Sequence, residues 1–170
     1  MDEQLLKTRK FKVVRRLIDS GGAEPVVKEL VIHPGAAVIL PITAEGNVVM
    51  VRNYRWSINR ELLELPAGTL ELLENPEACA CRELEEETGF VAGLLRPLCR
   101  FYTSPGMLTE LMHAYIATNL RPGEQKLSAG EKIEVEIMSF DEINHAIRTG
   151  KIMDGKTLTV LLYYQMLERP

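Results

Sequence analysis

The sequence lacks the features that mark three broad classes of protein. No apolar run approaches the roughly 20 residues that a membrane-spanning helix needs, so we expect no membrane segment. Positive charge is not in excess: 20 Lys and Arg residues stand against 24 Asp and Glu residues, for a net charge of −4. Nothing in this balance favours nucleic-acid binding. The acidic residues 1–4 carry no secretory pattern.

Cysteine and histidine are also scarce. The three cysteines are Cys79, Cys81 and Cys99, and a Cys-x-Cys pair without a second pair is a poor zinc site. We therefore expect the cysteines to pack. Their odd number, without a targeting signal, fits a reducing compartment, and we expect a cytoplasmic protein. The three histidines share no spacing that would make a metal site.

The chain has the length and composition of one ordinary globular domain, with 46% hydrophobic and 26% charged residues. Hydrophobic patterns and turn signals predict strands at residues 11–19, 26–33, 36–41, 47–51, 60–65, 94–102, 110–118 and 132–139. Helices are predicted at 76–88, 140–149 and 157–167, and a turn at 20–22. Residues 120–130 are polar and are predicted to form a loop. The first two strands, within residues 1–35, are expected to extend a main domain of residues 36–170.

The strongest functional signal lies in residues 68–90. Asn75 is a favourable N-cap, Pro76 suits the first helical position, and Gly89 suits the end of a helix. At about 100° per residue, the carboxylates of residues 83, 86 and 87 fall within an arc of about 100°. Residues 78, 81 and 84, which are Ala, Cys and Leu, lie on a different side and are expected to face a core.

Like charges at helical spacing repel one another, and a hard divalent cation removes that cost because Mg²⁺ takes oxygen ligands. Glutamate-rich helices are also common as solvated faces, so the cluster alone does not indicate a metal site. The fixed offsets favour a metal site over a solvated face, because a glycine, a glutamate, Arg-Glu, Glu-Glu and a second glycine follow in order. These residues are Gly68, Glu74, Arg82, Glu83, Glu86, Glu87 and Gly89.

At these positions the segment resembles the signature of the Nudix hydrolases. The resemblance implies hydrolysis of a nucleoside diphosphate linked to another group, and an α/β fold. This fold is an α/β/α sandwich with a mixed central sheet and, here, an N-terminal antiparallel strand extension. The resemblance implies Glu83 and Glu87 as main ligands of Mg²⁺, with Mn²⁺ as an alternative. Glu86 is a further ligand or holds a water, and the Ala67 carbonyl completes the site. Arg82 is expected to pair with a carboxylate such as Glu74.

Outside the signature, four further parts of the sequence resemble the ADP-ribose pyrophosphatase branch of the family. They are Arg55, residues 64–68, residues 104–106 and residues 152–157. The resemblance implies that Arg55 contacts phosphate, that Glu110 helps to bind the ribose side, and that Glu131 is the general base. Its products would be AMP and ribose 5-phosphate. Arg52 lies near Arg55, and a planar guanidinium suits phosphate. A surface salt bridge explains such arginines equally well.

Several alternatives remain open. Residues 104–106, 109–111, 113 and 154–157 also resemble the GDP-mannose hydrolases of the family, whereas Leu65-Pro66 fits the ADP-ribose branch better. Residues 154–157 can also be read as a turn and cap for the last helix. A non-catalytic sensor of nucleotide sugars would have lost signature acids, and this chain retains them. Relatives in this branch are usually homodimers, which makes the N-terminal strands a predicted interface and Lys28 a predicted substrate contact.

Overall fold

The computed structural model describes residues 2–19, 21–22 and 24–168, so Ser20 of the predicted turn lies outside the described residues. The strands are β1 (Asp2–Lys7), β2 (Lys12–Ile18), β3 (Val26–Ile32), β4 (Ala36–Pro41), β5 (Val48–Arg55), β6 (Arg60–Glu64), β7 (Ala67–Thr69), β8 (Phe90–Val91), β9 (Leu94–Tyr102), β10 (Leu111–Thr118), β11 (Arg121–Pro122) and β12 (Ile133–Met138). The helices are α1 (Pro76–Thr88), α2 (Phe140–Arg148) and α3 (Gly155–Glu168).

Strand β4 lies at the centre of the fold. It pairs in parallel with β10 and antiparallel with β7, in a four-stranded sheet of order β7-β4-β10-β9. All six of its residues are buried, because both faces of the sheet are covered. Ala37 and Ile39 pack against α1, while Val38 and Leu40 belong to the larger core with residues of the second sheet, α2 and α3. The predicted α/β fold with a mixed central sheet is confirmed.

The second sheet has the order β12-β5-β6 and is antiparallel. Strand β5 was predicted to end at residue 51, yet it continues to Arg55. Residues 52–55 are mostly polar and carry no apolar alternation, but both neighbouring strands pair with this part of β5. Strand β5 therefore carries Arg55 to the end of the sheet, where the hairpin to β6 begins.

The N-terminal strands form a separate antiparallel sheet of order β1-β2-β3. Strand β1 was not predicted, because its six residues are all exposed and mainly polar. The sheet is connected to the segment between β9 and β10 through backbone bonds: Val31 N–H donates to Met107 O over 2.8 Å, and Thr109 N–H donates to Val31 O over 3.0 Å. The N-terminal extension thus reaches the loop before β10.

Helix α1 has the bounds that the sequence predicts. The Asn75 side chain accepts from Glu77 N–H, Pro76 is the first helical residue, and Gly89 ends the helix with φ of 71°. The predicted core face was partly wrong. Cys79, Ala80 and Leu84 are buried, whereas Ala78 and Cys81 are exposed. The face of α1 that packs against β4 is therefore shifted by about one residue along the helix from the predicted face.

Other differences are small. Strands β7, β8 and β11 are two or three residues long and were not predicted, and β11 lies within the predicted loop 120–130. Helix α3 begins at Gly155, two residues before the predicted start. Asp154 accepts from Thr157 N–H over 2.9 Å, so the reading of 154–157 as a helix cap is confirmed. No helix among the described residues is long and apolar enough to cross a membrane.

Candidate functional site

The carboxylates of α1 meet the backbone of β7 at the floor of an open cleft. Gly68 in β7 lies against Glu83, and a Cβ atom on Gly68 would come within 1.8 Å of the Glu83 carboxyl carbon. Only glycine therefore leaves room for Glu83 in its present position. We call Glu83, Glu86 and Glu87 the acidic cluster; all three line a cleft of about 1240 Å³.

Arg82 organises the loop that precedes α1, as its predicted pairing with Glu74 requires. Its Nε and Nη2 donate to the two carboxylate oxygens of Glu74 over 2.8 and 2.9 Å. The Glu71 N–H donates to Glu74 Oε2 over 2.8 Å, which closes the loop. The hydrogen bond from Arg82 lowers the pKa of Glu74 to about 2. This carboxylate is therefore charged at every pH at which the protein would work.

The third nitrogen of Arg82 reaches the acidic cluster. Nη1 donates to Glu83 Oε1 over 2.6 Å and to Glu86 Oε2 over 3.2 Å. Burial raises the pKa of Glu83, an effect that the hydrogen bond from Arg82 opposes. One guanidinium thus offsets part of the repulsion between the two carboxylates.

Glu87 is the most buried member of the cluster, at 6% exposure. Its Oε2 accepts from Ala67 N–H over 3.0 Å, and this bond places Ala67 beside the cluster. Burial raises the pKa of Glu87 to about 8, and the neighbouring charges of Glu83 and Glu131 act in the same direction. A carboxylate in this setting favours a proton or a cation.

The residues present fit a divalent cation. Within the described ranges, no three His, Cys, Asp or Glu side chains already converge as a metal site, because Arg82 contacts two members of the acidic cluster and Ala67 contacts the third. The donors are nevertheless all oxygen, as Mg²⁺ prefers. Glu87 is buried with only partial compensation of its charge. The three carboxylates share one cleft with the Ala67 backbone, so oxygen donors for such an ion lie together there.

Glu131 reaches the same cleft from the loop before β12. The residue lines the cleft together with Gly130, and its charge contributes to the raised pKa values of Glu83 and Glu87. Its Oε2 accepts from Ser128 N–H over 2.8 Å. The structure therefore brings this predicted residue close to the acidic cluster.

Arg55 lines the cleft within an ion-pair network that sequence reasoning missed. Its Nε donates to Glu64 Oε1 over 2.7 Å, and its Nη2 contacts Glu64 Oε2. Glu64 is only 1% exposed and is also paired with Lys156, whose Nζ lies 3.0 Å from Asp154 Oδ2. Among the described residues, Arg55 Nη1 has no hydrogen-bond partner, so it remains available to a ligand.

Part of the network could have been predicted from the sequence. Glu64 and Lys156 lie in residues 64–68 and 152–157, two segments that resemble the same family branch. What the sequence did not reveal is their contact across 92 positions. A second link joins the same segments, since Leu65 N–H donates to Thr157 Oγ1 over 2.8 Å. The start of α3 is thereby fixed against the end of β6.

Glu110 also lines the cleft and lies just before β10. Its Oε2 accepts from Thr103 Oγ1 over 2.7 Å, and its Oε1 lies 3.4 Å from His33 Nδ1. That nitrogen accepts from Gly35 N–H over 3.2 Å, and burial lowers the pKa of His33. The charge of Glu110 opposes this shift of the His33 pKa, because it favours the protonated imidazole.

Two predicted substrate contacts do not reach the cleft within this chain. The Nε of Arg52 lies 2.7 Å from Glu136 Oε2 of β12, because side chains alternate along a strand and Arg52 is on the outer face of β5. Lys28 is exposed on β3 and does not line the cleft. Arg9 and Lys10, from the turn between β1 and β2, do line it.

The chain resembles known proteins over most of its length. The family model described as NUDIX domain matches residues 32–157. The ADP-ribose pyrophosphatase of Bacillus subtilis (strain 168) is 39% identical over 143 residues, which cover 83% of this chain and 77% of that protein. The GDP-mannose pyrophosphatase of Escherichia coli (strain K12 / DH10B) is 38% identical over 141 residues, 77% of this chain and 73% of that protein.

One relative and one solved structure cover nearly the whole chain. The methanol dehydrogenase activator of Bacillus methanolicus is 35% identical over 168 residues, 98% of this chain and 91% of that protein. A crystal structure of an ADP compounds hydrolase superposes with a TM-score of 0.86 at 20% sequence identity, over 99% of this chain and 92% of that chain. This last likeness shows the fold.

Proposed function

Because this chain belongs to the Nudix family, as its signature predicts, we propose that it hydrolyses the pyrophosphate bond of ADP-ribose or a related nucleoside diphosphate sugar. The products would be AMP, or another nucleoside monophosphate, and a sugar phosphate. The observation that carries the proposal is the acidic cluster at the floor of a cleft that Arg55 and Glu131 also line. The cleft is large enough for a nucleotide sugar.

Glu83, Glu86, Glu87 and the Ala67 carbonyl would hold the divalent cation, with Mg²⁺ proposed and Mn²⁺ as the alternative. When bound, the ion would polarise phosphoryl oxygens and lower the pKa of a coordinated water. Arg82 would then keep its bidentate pairing with Glu74 and release its contacts to Glu83 and Glu86. Two of its three nitrogens already serve the loop, so the loop would retain its shape.

The remaining roles belong to residues that line the cleft. Arg55 would donate from Nη1 to a phosphate oxygen while Glu64 fixes the rest of its guanidinium. Glu110 would accept from a hydroxyl of the ribose. Glu131 would take the proton of the attacking water, for which it must lie within hydrogen-bond reach. Glu86 would assist as a further ligand or by orienting that water.

Two alternatives are retained. A GDP-mannose hydrolase is supported by the 38% identity to proteins of that name. A non-catalytic domain that senses nucleotide sugars is the alternative of another class, and the complete set of signature acids argues against it. A panel of ADP-ribose, GDP-mannose, ADP-glucose, UDP-glucose, NADH and FAD, with products identified by mass, separates the three.

We further propose that the protein is a cytoplasmic homodimer. Its three cysteines are free, as in reducing compartments. The extension of residues 1–35 exposes apolar side chains that a second copy would cover, among them Leu17 and Val27. Lys28 would contact substrate only in such an assembly. Residues 36–170 would form the hydrolase domain itself.

The central test replaces single carboxylates. Glu83→Gln and Glu87→Gln should lower turnover of ADP-ribose with Mg²⁺ to background while circular dichroism shows a retained fold. Glu131→Gln should lower kcat by about 100-fold or more with a smaller change in KM. Glu85→Gln, in the same helix but outside the cleft, is the matched control and should keep full activity. Wild-type rates in the first two variants would contradict the site.

A further inference from the structure

Trp56 is the one tryptophan of the chain, and it lines the cleft with 61% of its surface exposed. It follows Arg55 and opens the turn 56–59 between β5 and β6. The turn is well defined, since Ile58 N–H donates to Arg55 O over 3.1 Å and Asn59 has φ of 50°. The turn therefore presents the exposed ring at a defined place on the edge of the cleft.

The contact that Trp56 makes leads to the loop of Glu131. Its indole N–H donates to the carbonyl oxygen of Gly130 over 3.2 Å. Gly130 directly precedes Glu131 and has φ of 91°, a conformation that favours glycine. Glu131 N–H donates to Ser128 O over 3.0 Å, so residues 128–131 form a turn closed on itself. The bond from Trp56 connects this turn to the β5–β6 hairpin.

A second connection lies on the other side of Glu131. The Lys132 Nζ is 5.7 Å from the ring centre of Tyr54 and 5.5 Å from that of Trp56. The two rings are 4.7 Å apart and meet edge to face, an arrangement that stabilises aromatic pairs. Tyr54 N–H also donates to Lys132 O over 3.2 Å. Glu131 is therefore flanked by two residues that contact the same hairpin.

From these contacts we infer that Trp56 is a positioning residue, which keeps the turn of residues 128–131 at the edge of the cleft so that the Glu131 carboxylate faces the acidic cluster. The inference rests on the proposed function, in which Glu131 is the general base. A base must stay within hydrogen-bond reach of its water, and a displacement of about 1 Å is enough to slow a reaction. Residues 128–131 are exposed, and the bond from Trp56 holds this turn on the Gly130 side, while Lys132 holds it on the other.

Two variants separate the parts of the contact. Trp56→Phe retains a ring beside Tyr54 and Lys132 but removes the donor to Gly130, whereas Trp56→Ala removes both. With ADP-ribose and Mg²⁺ we expect kcat to fall roughly 3- to 10-fold in Trp56→Phe and further in Trp56→Ala, with KM nearly unchanged. Tyr115→Phe removes an aromatic donor outside the cleft and is the matched control.

A double-mutant cycle tests whether the effect passes through Glu131. If Trp56 acts by placing this carboxylate, Trp56→Phe should cause no further loss of kcat in a Glu131→Gln background. Independent, multiplying losses would overturn the inference. A raised KM at constant kcat would also overturn it, because Trp56 would then bind substrate directly, for example by stacking on a base.

A readout without substrate keeps the inference distinct from the proposed function. The ¹⁵N order parameters of the Gly130 and Glu131 amides should fall in both Trp56 variants and stay constant in Tyr115→Phe. If the wild-type protein hydrolyses no sugar nucleotide, the proposed function fails, while these order parameters still decide whether Trp56 positions the turn. Unchanged values in Trp56→Ala would overturn the inference.

Discussion

At the scale of single residues, Glu87 shows how burial changes the protonation of a carboxyl group. The carboxyl group is almost fully buried and accepts one hydrogen bond, from Ala67. Burial penalises the ionised form and raises the pKa to about 8. In the absence of a cation, the folded protein therefore binds a proton here that the unfolded chain releases at its ordinary pKa of 4.5.

The raised pKa of Glu87 makes the stability of the metal-free protein depend on pH, and the linkage between protonation and folding gives the direction. The folded state binds more protons between pH 4.5 and about 8, so the stability of the metal-free protein falls as pH rises through this window. Glu87→Gln keeps an acceptor for Ala67 N–H and does not titrate. We expect this variant to be about 1–3 kcal/mol more stable than the wild type at pH 8 in EDTA, with little difference near pH 4.5. Urea unfolding at several pH values measures it.

The wild type and Glu87→Gln also test whether a divalent cation binds at Glu87. Addition of Mg²⁺ at pH 8 should raise the melting temperature of the wild type and leave that of Glu87→Gln nearly constant, since binding to the folded state alone stabilises it. Glu85→Gln controls for the loss of one charge from α1. A Glu87→Gln variant less stable than the wild type in EDTA at pH 8 would contradict the assigned pKa.

At the scale of elements, the loop between β7 and α1 depends on Glu74. Its carboxylate accepts two bonds from Arg82 and one from Glu71 N–H, and only 13% of its side chain is exposed. The lowered pKa, about 2, means that the folded state favours the ionised form. Its stabilising contribution is complete above pH 4.5 and is lost as pH falls toward 2.

We therefore expect Glu74→Gln to be about 1–2 kcal/mol less stable than the wild type at pH 6, because charge-assisted hydrogen bonds to Arg82 become neutral ones. The difference should shrink as both proteins are acidified to pH 2. Unfolding curves between pH 2 and 6 measure this, and Glu77→Gln, an exposed acid in the first turn of α1, is the control. An equal loss of stability at every pH would show that the Arg82 pairing does not cause it.

The elements also show what can be predicted from sequence. The bounds of α1 follow from Asn75, Pro76 and Gly89, because caps are local and each acts through its own backbone position. Strand β1 could not be predicted, since its residues are exposed and its only signal is the pairing with β2. The Glu64–Lys156 pair likewise depends on packing between β6 and α3, which no local pattern encodes.

At the scale of the whole molecule, the cleft is assembled from distant parts of the chain: α1 supplies the acidic cluster, the β5–β6 hairpin supplies Arg55 and Trp56, and the loop before β12 supplies Glu131. The signature segment alone predicted the place of the acidic cluster, but not that of the other residues. The second sheet brings the others together, since β5 pairs with both β6 and β12. The site is therefore a product of the fold as much as of the signature.

The N-terminal sheet gives the last prediction. Leu17 of β2 and Val27 of β3 lie directly opposite each other and are 58% and 52% exposed, so a second copy that covered them would bury apolar surface. We expect the wild-type protein to elute with twice the mass of one chain in size-exclusion chromatography with light scattering. Leu17→Glu should shift it to one chain mass, since burying an unpaired charge is costly. Leu94→Glu, at an equally exposed position in β9, should remain dimeric. A wild-type monomer at micromolar concentration, or a dimeric Leu17→Glu variant, would remove this sheet as the interface.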